Sequence, residues 1–266
     1  MEQDKLIRAK ITRIRRGENG CLEQLEDLVT AEAPVTIFLN GSELVTLLCT
    51  PEKIDRLALG FLQSEGLIST IEELESIRVL EKEGLVEIEL KNRADLAGKL
   101  YGKRTVTSGC GKGTVFFNVL DSLRSRPLEG RMTVKADRIL DLVNSLQERA
   151  LVFKQTGGVH SAALADREQL LYFYEDIGRH NAVDKIIGEC LINGVATDDK
   201  VIVTSGRLSS EILLKAAKLK IQLLVSRSAP TSLSIELAET LNITLVGFAR
   251  GRRMNVYSHP WRVEEC

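Results

Sequence analysis

The sequence predicts an α/β protein preceded by a smaller α+β unit. Val201 to Thr204, Ile221 to Val225 and Ile243 to Gly247 are short, apolar, β-rich runs, and the stretches between them, Ser209 to Lys218 and Ser232 to Leu241, have helical spacing. That alternation is the signature of β-α-β crossovers and parallel strands. Near the start, Val35 to Cys49 reads as strand, Asn40-Gly41 turn, strand, and Asn-Gly between two apolar runs is the strongest short hairpin signal. With 266 residues and about 100–200 residues per domain, two domains fit: residues 1–103 as the α+β unit and 104–266 as the α/β unit.

The elements follow in order. After the hairpin, Thr50 is placed as a helix N-cap with Pro51 at the first helical position. Ile54, Leu57, Ala58, Phe61 and Leu62 then recur at helical spacing until Gly66 ends the helix. Ser76 to Leu80 and Leu85 to Leu90 read as strands. Tyr101 to Thr114 carries Gly102, Gly109, Gly111 and Gly113 beside Lys103, Arg104 and Lys112, too much glycine to pack, and reads as a mobile, exposed connection. Ala136 to Ala150 is an amphipathic helix capped by Asp137 or a neighbour. Leu151 to Phe153 leads into Thr156-Gly157-Gly158-Val159-His160, a strand spans Leu170 to Tyr174, and Ala182 to Cys190 is a helix.

Composition narrows the function classes. Thirty-six basic against thirty-seven acidic residues leave a formal charge of -1, so the molecule as a whole has no attraction for nucleic acid, and any anion site is local. Met1 to Arg16 mixes charges and lacks the apolar segment of a signal peptide or of a membrane span, which sets the cytoplasm as the expected location. Five cysteines, Cys21, Cys49, Cys110, Cys190 and Cys266, are widely spaced with no C-x-x-C pair. That argues against a disulfide framework and a structural zinc site.

The candidate chemistry sits where the three apolar strands end: Ser205-Gly206-Arg207, then Ser226-Arg227-Ser228-Ala229-Pro230-Thr231, then Phe248-Ala249-Arg250-Gly251-Arg252-Arg253. Ligands of open parallel sheets bind outside the carboxyl ends of strands, where helix N-termini offer free N–H groups. Arginine forks match phosphate oxygens in pairs. One such loop is most simply explained by surface ion pairs and a turn, but three at one edge favour a large phosphorylated ligand. No G-x-x-x-x-G-K-[ST] or G-x-G-x-x-G follows a strand, which disfavours nucleotide hydrolases and dinucleotide dehydrogenases.

Cys110, within Thr107-Ser108-Gly109-Cys110-Gly111-Lys112-Gly113, is the candidate nucleophile or sulfur carrier. Lys103, Arg104 and Lys112 would stabilise its thiolate, and the glycines leave it accessible. Cys49 and Cys190 fall on apolar faces and read as core filler. His160 and His180 are as consistent with hydrogen-bonded structural histidines as with site residues. Glu175 and Asp176 would orient Arg179 or His180, or begin the next helix.

These segments together resemble the FdhD family, the accessory sulfurtransferases of formate dehydrogenase. The resemblance rests on Thr156 to Ala162, Glu175 to Lys185, Ser205 to Arg207, Ser226 to Thr231, Phe248 to Arg253 and the Asn255-Val256-Tyr257 that follows. It implies a cytoplasmic protein, pictured as a homodimer, that takes sulfur from a cysteine desulfurase. The sulfur goes to the bis(molybdopterin guanine dinucleotide) molybdenum cofactor, a bound substrate, before the cofactor enters formate dehydrogenase. Cys110 would bear the persulfide. The implied cofactor-binding set is Phe248, Ala249, Arg250, Gly251, Arg252, Arg253, Ser205, Gly206, Arg207, Ser226, Arg227, Gly158, His160 and His180. The implied fold is a three-layer, cytidine deaminase-like C-terminal domain with a smaller α+β domain in front.

Two departures follow. Family members commonly carry a C-x-x-C pair where this chain has Cys110 and Gly113, which leaves one thiol and no local resolving partner. A zinc deaminase needs H-x-E and P-C-x-x-C, whereas this chain has His160-Ser161-Ala162, so neither zinc nor deaminase activity is expected. The competing reading is a chaperone that binds the molybdenum cofactor without transferring sulfur.

Overall fold

The computed structural model describes residues 5–16, 21–92 and 127–265. The expected domain boundary at 103/104, Cys110 and Cys266 lie outside the described residues. The chain opens with a ribbon of two antiparallel strands, β1 (Leu6–Arg15) and β2 (Cys21–Thr30). A four-stranded sheet follows in the order β4-β3-β6-β5, from β3 (Ala33–Leu39), β4 (Ser42–Cys49), β5 (Leu74–Leu80) and β6 (Leu85–Leu90). The β3–β4 hairpin turns at Asn40 and Gly41, both at positive φ, the geometry for which Asn-Gly is selected.

Helix α1 (Ile54–Ser64) covers one face of this sheet, packing Leu57, Ala58, Phe61 and Leu62 against Val35, Ile37, Val86 and Ile88. Its start differs from expectation: the N-cap is Lys53, at φ 54° and with no side-chain cap, and Thr50 and Pro51 precede the helix. Thr50 instead is buried and serves a tertiary role. Its N–H donates to Asp176, its hydroxyl accepts from Ile177 N–H, and its carbonyl accepts from Lys185 Nζ.

A two-residue strand β7 (Val134–Lys135) leads into the larger unit, which is built on a six-stranded sheet in the order β13-β12-β11-β10-β8-β9. Its strands are β8 (His160–Ala165), β9 (Leu170–Asp176), β10 (Val201–Thr204), β11 (Leu223–Ser226), β12 (Thr244–Arg250) and β13 (Arg253–Ser258). The expected parallel set is β10, β11 and β12; β8, β9 and β13 add antiparallel neighbours, so the sheet is mixed. Helix α2 (Ala136–Arg149) lies on one face, where Ile139, Leu142, Val143 and Leu146 meet Val201, Val203, Val225 and Val246. The helix starts after Lys135, with Asp137 inside its first turn rather than capping it. A short helix α3 (Leu151–Thr156) follows, closed by Gly157 in the left-handed conformation. Helices α4 (Arg179–Ile192), α5 (Ser210–Lys218) and α6 (Ser232–Leu241) cover the other face. Burial on both faces explains why β10 and β11 are unbroken apolar runs.

Helix α4 joins the two units. Ten of its residues from Asn181 to Leu191 are buried, because one side meets the large sheet and the other meets α1. The crossing leaves no room for a Cβ: one at Gly60 would lie 1.8 Å from the Asp184 carbonyl oxygen, and one at Gly188 would lie 2.0 Å from the Arg56 carbonyl oxygen. Two buried charged residues of α4 are paired. Lys185 meets Asp176 at 2.7 Å, both fully buried, and Asp184 meets Lys215 at 2.5 Å.

Candidate site at the sheet edge

Sheet topology places the chemistry along one edge. Because β10, β11 and β12 are parallel, the loops after Thr204, Ser226 and Arg250 emerge together. Because β8 runs antiparallel to β10, its first residue, His160, emerges there too, opposite Asp176 at the end of β9. Helices α4, α5 and α6 begin at this edge, the latter two capped by the Ser209 and Thr231 side chains. Hydrogen bonds tie the loops into one surface. Ser205 Oγ accepts from Ser161 N–H at 2.9 Å and lies 3.4 Å from His160 Nδ1. Ser226 Oγ donates to the Gly206 carbonyl, Arg227 N–H to the Thr204 carbonyl, and Phe248 N–H to the Ser228 carbonyl.

Along that surface, basic side chains stand in a row. Arg179, at the first turn of α4, lies across the β10 loop so closely that a Cβ on Gly206 would come within 2.9 Å of Arg179 Cβ. Arg207 follows on that same loop and Arg227 on the loop after β11. The Nε atoms of Arg179 and Arg227 are buried without a hydrogen-bond partner, an unfavourable condition for a charged donor that a bound anion would relieve. His180 Nε2 approaches Glu211 Oε2 to 2.9 Å, but off the donor axis, so this buried nitrogen also lacks a directed hydrogen bond; close approach with poor alignment is an ionic contact rather than a formed hydrogen bond.

The electrostatics follow from this crowding. Burial, then the positive charges of Arg179, His180 and Arg207, push the His160 imidazole below its ordinary value, against the opposing pull of Asp176. The His180 contact holds the Glu211 carboxyl low despite partial burial, with help from the charges of His180, Lys215 and Arg179. Further along, β12 and β13 turn over Gly251 at φ 57°. Arg250, Arg252 and Arg253 are exposed there, with the Arg250 guanidinium 5.9 Å from the Phe248 ring centre. Phe248 itself has φ 51°, at an irregularity in the β12–β13 ladder.

Comparison with known proteins decides the family. The sequence profile of the FdhD/NarQ family matches residues 30–264. The chain belongs to the FdhD/NarQ family. Relatives include proteins named "Sulfur carrier protein FdhD" from Bacillus subtilis, 46% identical over 96% of this chain and 99% of that protein, and from Geobacillus kaustophilus, 44% identical over 96% and 97%. A crystal structure described as a formate dehydrogenase accessory protein, from Desulfotalea psychrophila, superposes with a TM-score of 0.80 at 26% identity, covering 98% of this chain and all of that one.

Within this FdhD/NarQ chain the strand-end segments converge, and Cys110 lies outside the described residues. Several residues singled out from sequence sit deeper than a ligand would reach. Ala249 turns its methyl into the α2-side core, Ser226 and Gly206 are buried, and of these three only backbone groups remain to meet a ligand. Gly158 is exposed, beside the end of β2, where a Cβ would come within 2.8 Å of Thr30 Oγ1. Glu175 and Asp176 do not pair with Arg179 or His180. Glu175 accepts from Val152 and Phe153 N–H and so caps α3 from a distance; Asp176 anchors Lys185 and accepts from Gly178 N–H, fixing the start of α4.

Arg179 and Glu211 were not singled out as site residues. Arg179 follows a glycine at a helix start, a local signal shared by many surface arginines, and its stacking on Gly206 is a tertiary fact. Cys49 and Cys190 are buried in the core, and burial pushes both thiols up to about 12, which keeps them protonated and inert. A cavity of about 460 Å³ lies within the small unit, lined by Lys5, Pro34, Glu52, Lys53 and Lys82 among others, and includes no strand-end residue. Among the described residues, no cluster of three histidine, cysteine or acidic side chains is placed to hold a metal ion, and no helix is long and apolar enough to cross a membrane.

Proposed function

We propose that this protein carries sulfur as a persulfide on Cys110 from a cysteine desulfurase to the bis(molybdopterin guanine dinucleotide) molybdenum cofactor destined for formate dehydrogenase. In this reading the protein is a cytoplasmic homodimer that uses no zinc, and its larger unit is of the cytidine deaminase type, a reading supported by the mixed sheet sandwiched between helices. The single observation that carries the proposal is the basic row at one sheet edge. Arginines with buried, unpartnered Nε atoms beside two histidines are suited to a polyanionic ligand, and the relatives' naming as sulfur carriers supplies the cargo.

Loading is a thiol exchange. The Cys110 thiolate attacks the terminal sulfur of the donor's persulfide, a new Sγ–S bond forms, the donor's S–S bond breaks, and the donor leaves as a thiolate. Delivery breaks the Sγ–S bond with two electrons from the reduced molybdenum acceptor, so sulfur leaves at the sulfide level and Cys110 returns to thiolate. The test is mass spectrometry after incubation with a cysteine desulfurase and cysteine. A gain of one sulfur on the Cys110 peptide, absent from Cys110→Ala, is expected. Cofactor bound with no sulfur gained would instead support a chaperone that shields the cofactor without transferring sulfur.

A further inference from the structure

We infer that the basic row is directional: its imidazole end, His160 and His180 with Arg179, Arg207 and Glu211, meets the sulfur-transferring group, and its Arg250–Arg253 end holds the ligand's phosphates. The inference rests on the sulfur-carrier reading above and assigns roles within that site. The sheet order fixes the sequence of groups along the edge: the Arg250–Arg253 turn after β12, Arg227 after β11, Arg207 after β10 and His160 at β8, with Arg179 against Gly206 of the β10 loop and His180 against Glu211 at the start of α5. Adjacent strands lie about 4.8 Å apart, so β12 and β8, three steps apart, are separated by roughly 14 Å. The two ends of the row are therefore distinct places for an elongated ligand.

Their chemistry differs in the respect that sulfur transfer requires. A persulfide delivers its outer sulfur as an anion, so any S–H proton must leave, and Cys110 is released as thiolate. Of the chain's three histidines, two stand at this end. The third, His259, lies at the opposite end of the sheet, where its carbonyl accepts from Thr244 at the start of β12. His160 faces Arg179, His180, Arg207 and Asp176 as charged neighbours and Ser205 as a polar one. Burial and its positive neighbours favour the neutral imidazole, a proton acceptor at this end of the row. The unpartnered Arg179 Nε is buried at this same end, where it is suited to hold a desolvated anion, while His180 is engaged by Glu211. Arg250, Arg252 and Arg253 present exposed guanidinium groups, suited to phosphates that react with nothing.

The experiment uses the full chain and three readouts: sulfur loaded on Cys110 by mass spectrometry, GDP affinity as the probe of phosphate binding, and delivery measured as formate dehydrogenase activation by preloaded protein across pH 5.5–8. Arg250→Ala with Arg252→Ala is expected to weaken GDP binding at least tenfold. His160→Gln is expected to load sulfur normally and keep GDP affinity within about twofold, while delivery falls at least tenfold and loses its fall-off below about pH 6.5. His180→Gln is expected to lower delivery while loading and GDP affinity are kept, and retained GDP affinity reports that each variant is folded. If His160→Gln and His180→Gln deliver like the wild type, or weaken GDP binding as much as the arginine pair does, the direction assigned here is wrong. Wild-type protein that takes up no sulfur would overturn the carrier reading itself, and this assignment with it.

Discussion

Replacing Lys185 by Met keeps the apolar stem and removes one charge from the seam between the two units. Lys185 Nζ sits 2.7 Å from Asp176 Oδ2 and donates to the Thr50 carbonyl at 3.1 Å, and neither Lys185 nor Asp176 is exposed at all. Without the ammonium group, Asp176 keeps hydrogen bonds from Thr50 N–H, Gly178 N–H and Asn181 Nδ2 but is left as a buried charge with no counter-ion. Removing one partner of a buried pair costs about 3–5 kcal/mol. At about 2–4 °C per kcal/mol for a chain of this size, the melting temperature should fall by roughly 6–20 °C. The assay is thermal and urea unfolding followed by circular dichroism, with the urea slope expected to be unchanged. A loss below about 1 kcal/mol would refute the premise that this pair, rather than apolar packing alone, secures α4 against the small unit.

Two other outcomes bear on the scaffold. Gly188→Ala would drive a methyl into the Arg56 carbonyl, and forcing α1 and α4 apart should cost about 1–3 kcal/mol or more, seen as a lower melting temperature with both units loosened together. Glu175→Ala would leave the buried Val152 N–H, and Phe153 N–H beside it, without their shared acceptor, at a cost of about 1–3 kcal/mol for each buried donor left unsatisfied. Hydrogen exchange should show the loss concentrated in α3.

The sequence made some elements far more legible than others. Val201–Thr204 matched to the residue, and β11 and β12 to within a few, because strands buried on both faces leave continuous apolar runs that no surface requirement interrupts. The Asn40-Gly41 turn was legible for a local reason, the positive φ of both residues. Thr50-Pro51 misled because its capping signals were local, while the residue's actual partners, Asp176, Ile177 and Lys185, lie more than a hundred positions away. Strand β8 went unread because Ser161-Ala162-Ala163-Leu164-Ala165 has little β-branched character, and its place is set by flanking strands and helices. The β1–β2 ribbon was hidden by alternating charges without a tight-turn signal, its strands being linked by cross-strand ion pairs such as Arg8–Glu26 and Arg15–Glu23. At the site, the arginine loops were readable from strand ends alone. The clustering of Arg179, His180 and Glu211 with His160 required the antiparallel placement of β8 and β9.

That clustering makes a prediction about pH. The His160 imidazole is held below its ordinary value of 6.5, so between the two values the unfolded chain binds more protons than the folded one. Stability therefore rises with pH in that window and is lost as pH falls below about 6.5. Burial and the charges of Arg179, His180 and Arg207 cause the shift. Glutamine in place of His160 removes the titrating group and should flatten this part of the stability profile between pH 7.5 and 5.5. Salt separates the two causes: at about 1 M the screening length is near 3 Å, so repulsion from the three positive neighbours should weaken while the burial contribution stays. The wild-type slope below pH 6.5 should then shrink without vanishing. A slope unaffected by both His160→Gln and salt would mean that His160 is not the group crowded by these charges, and the sheet edge would lose the neutral proton acceptor on which its directionality depends.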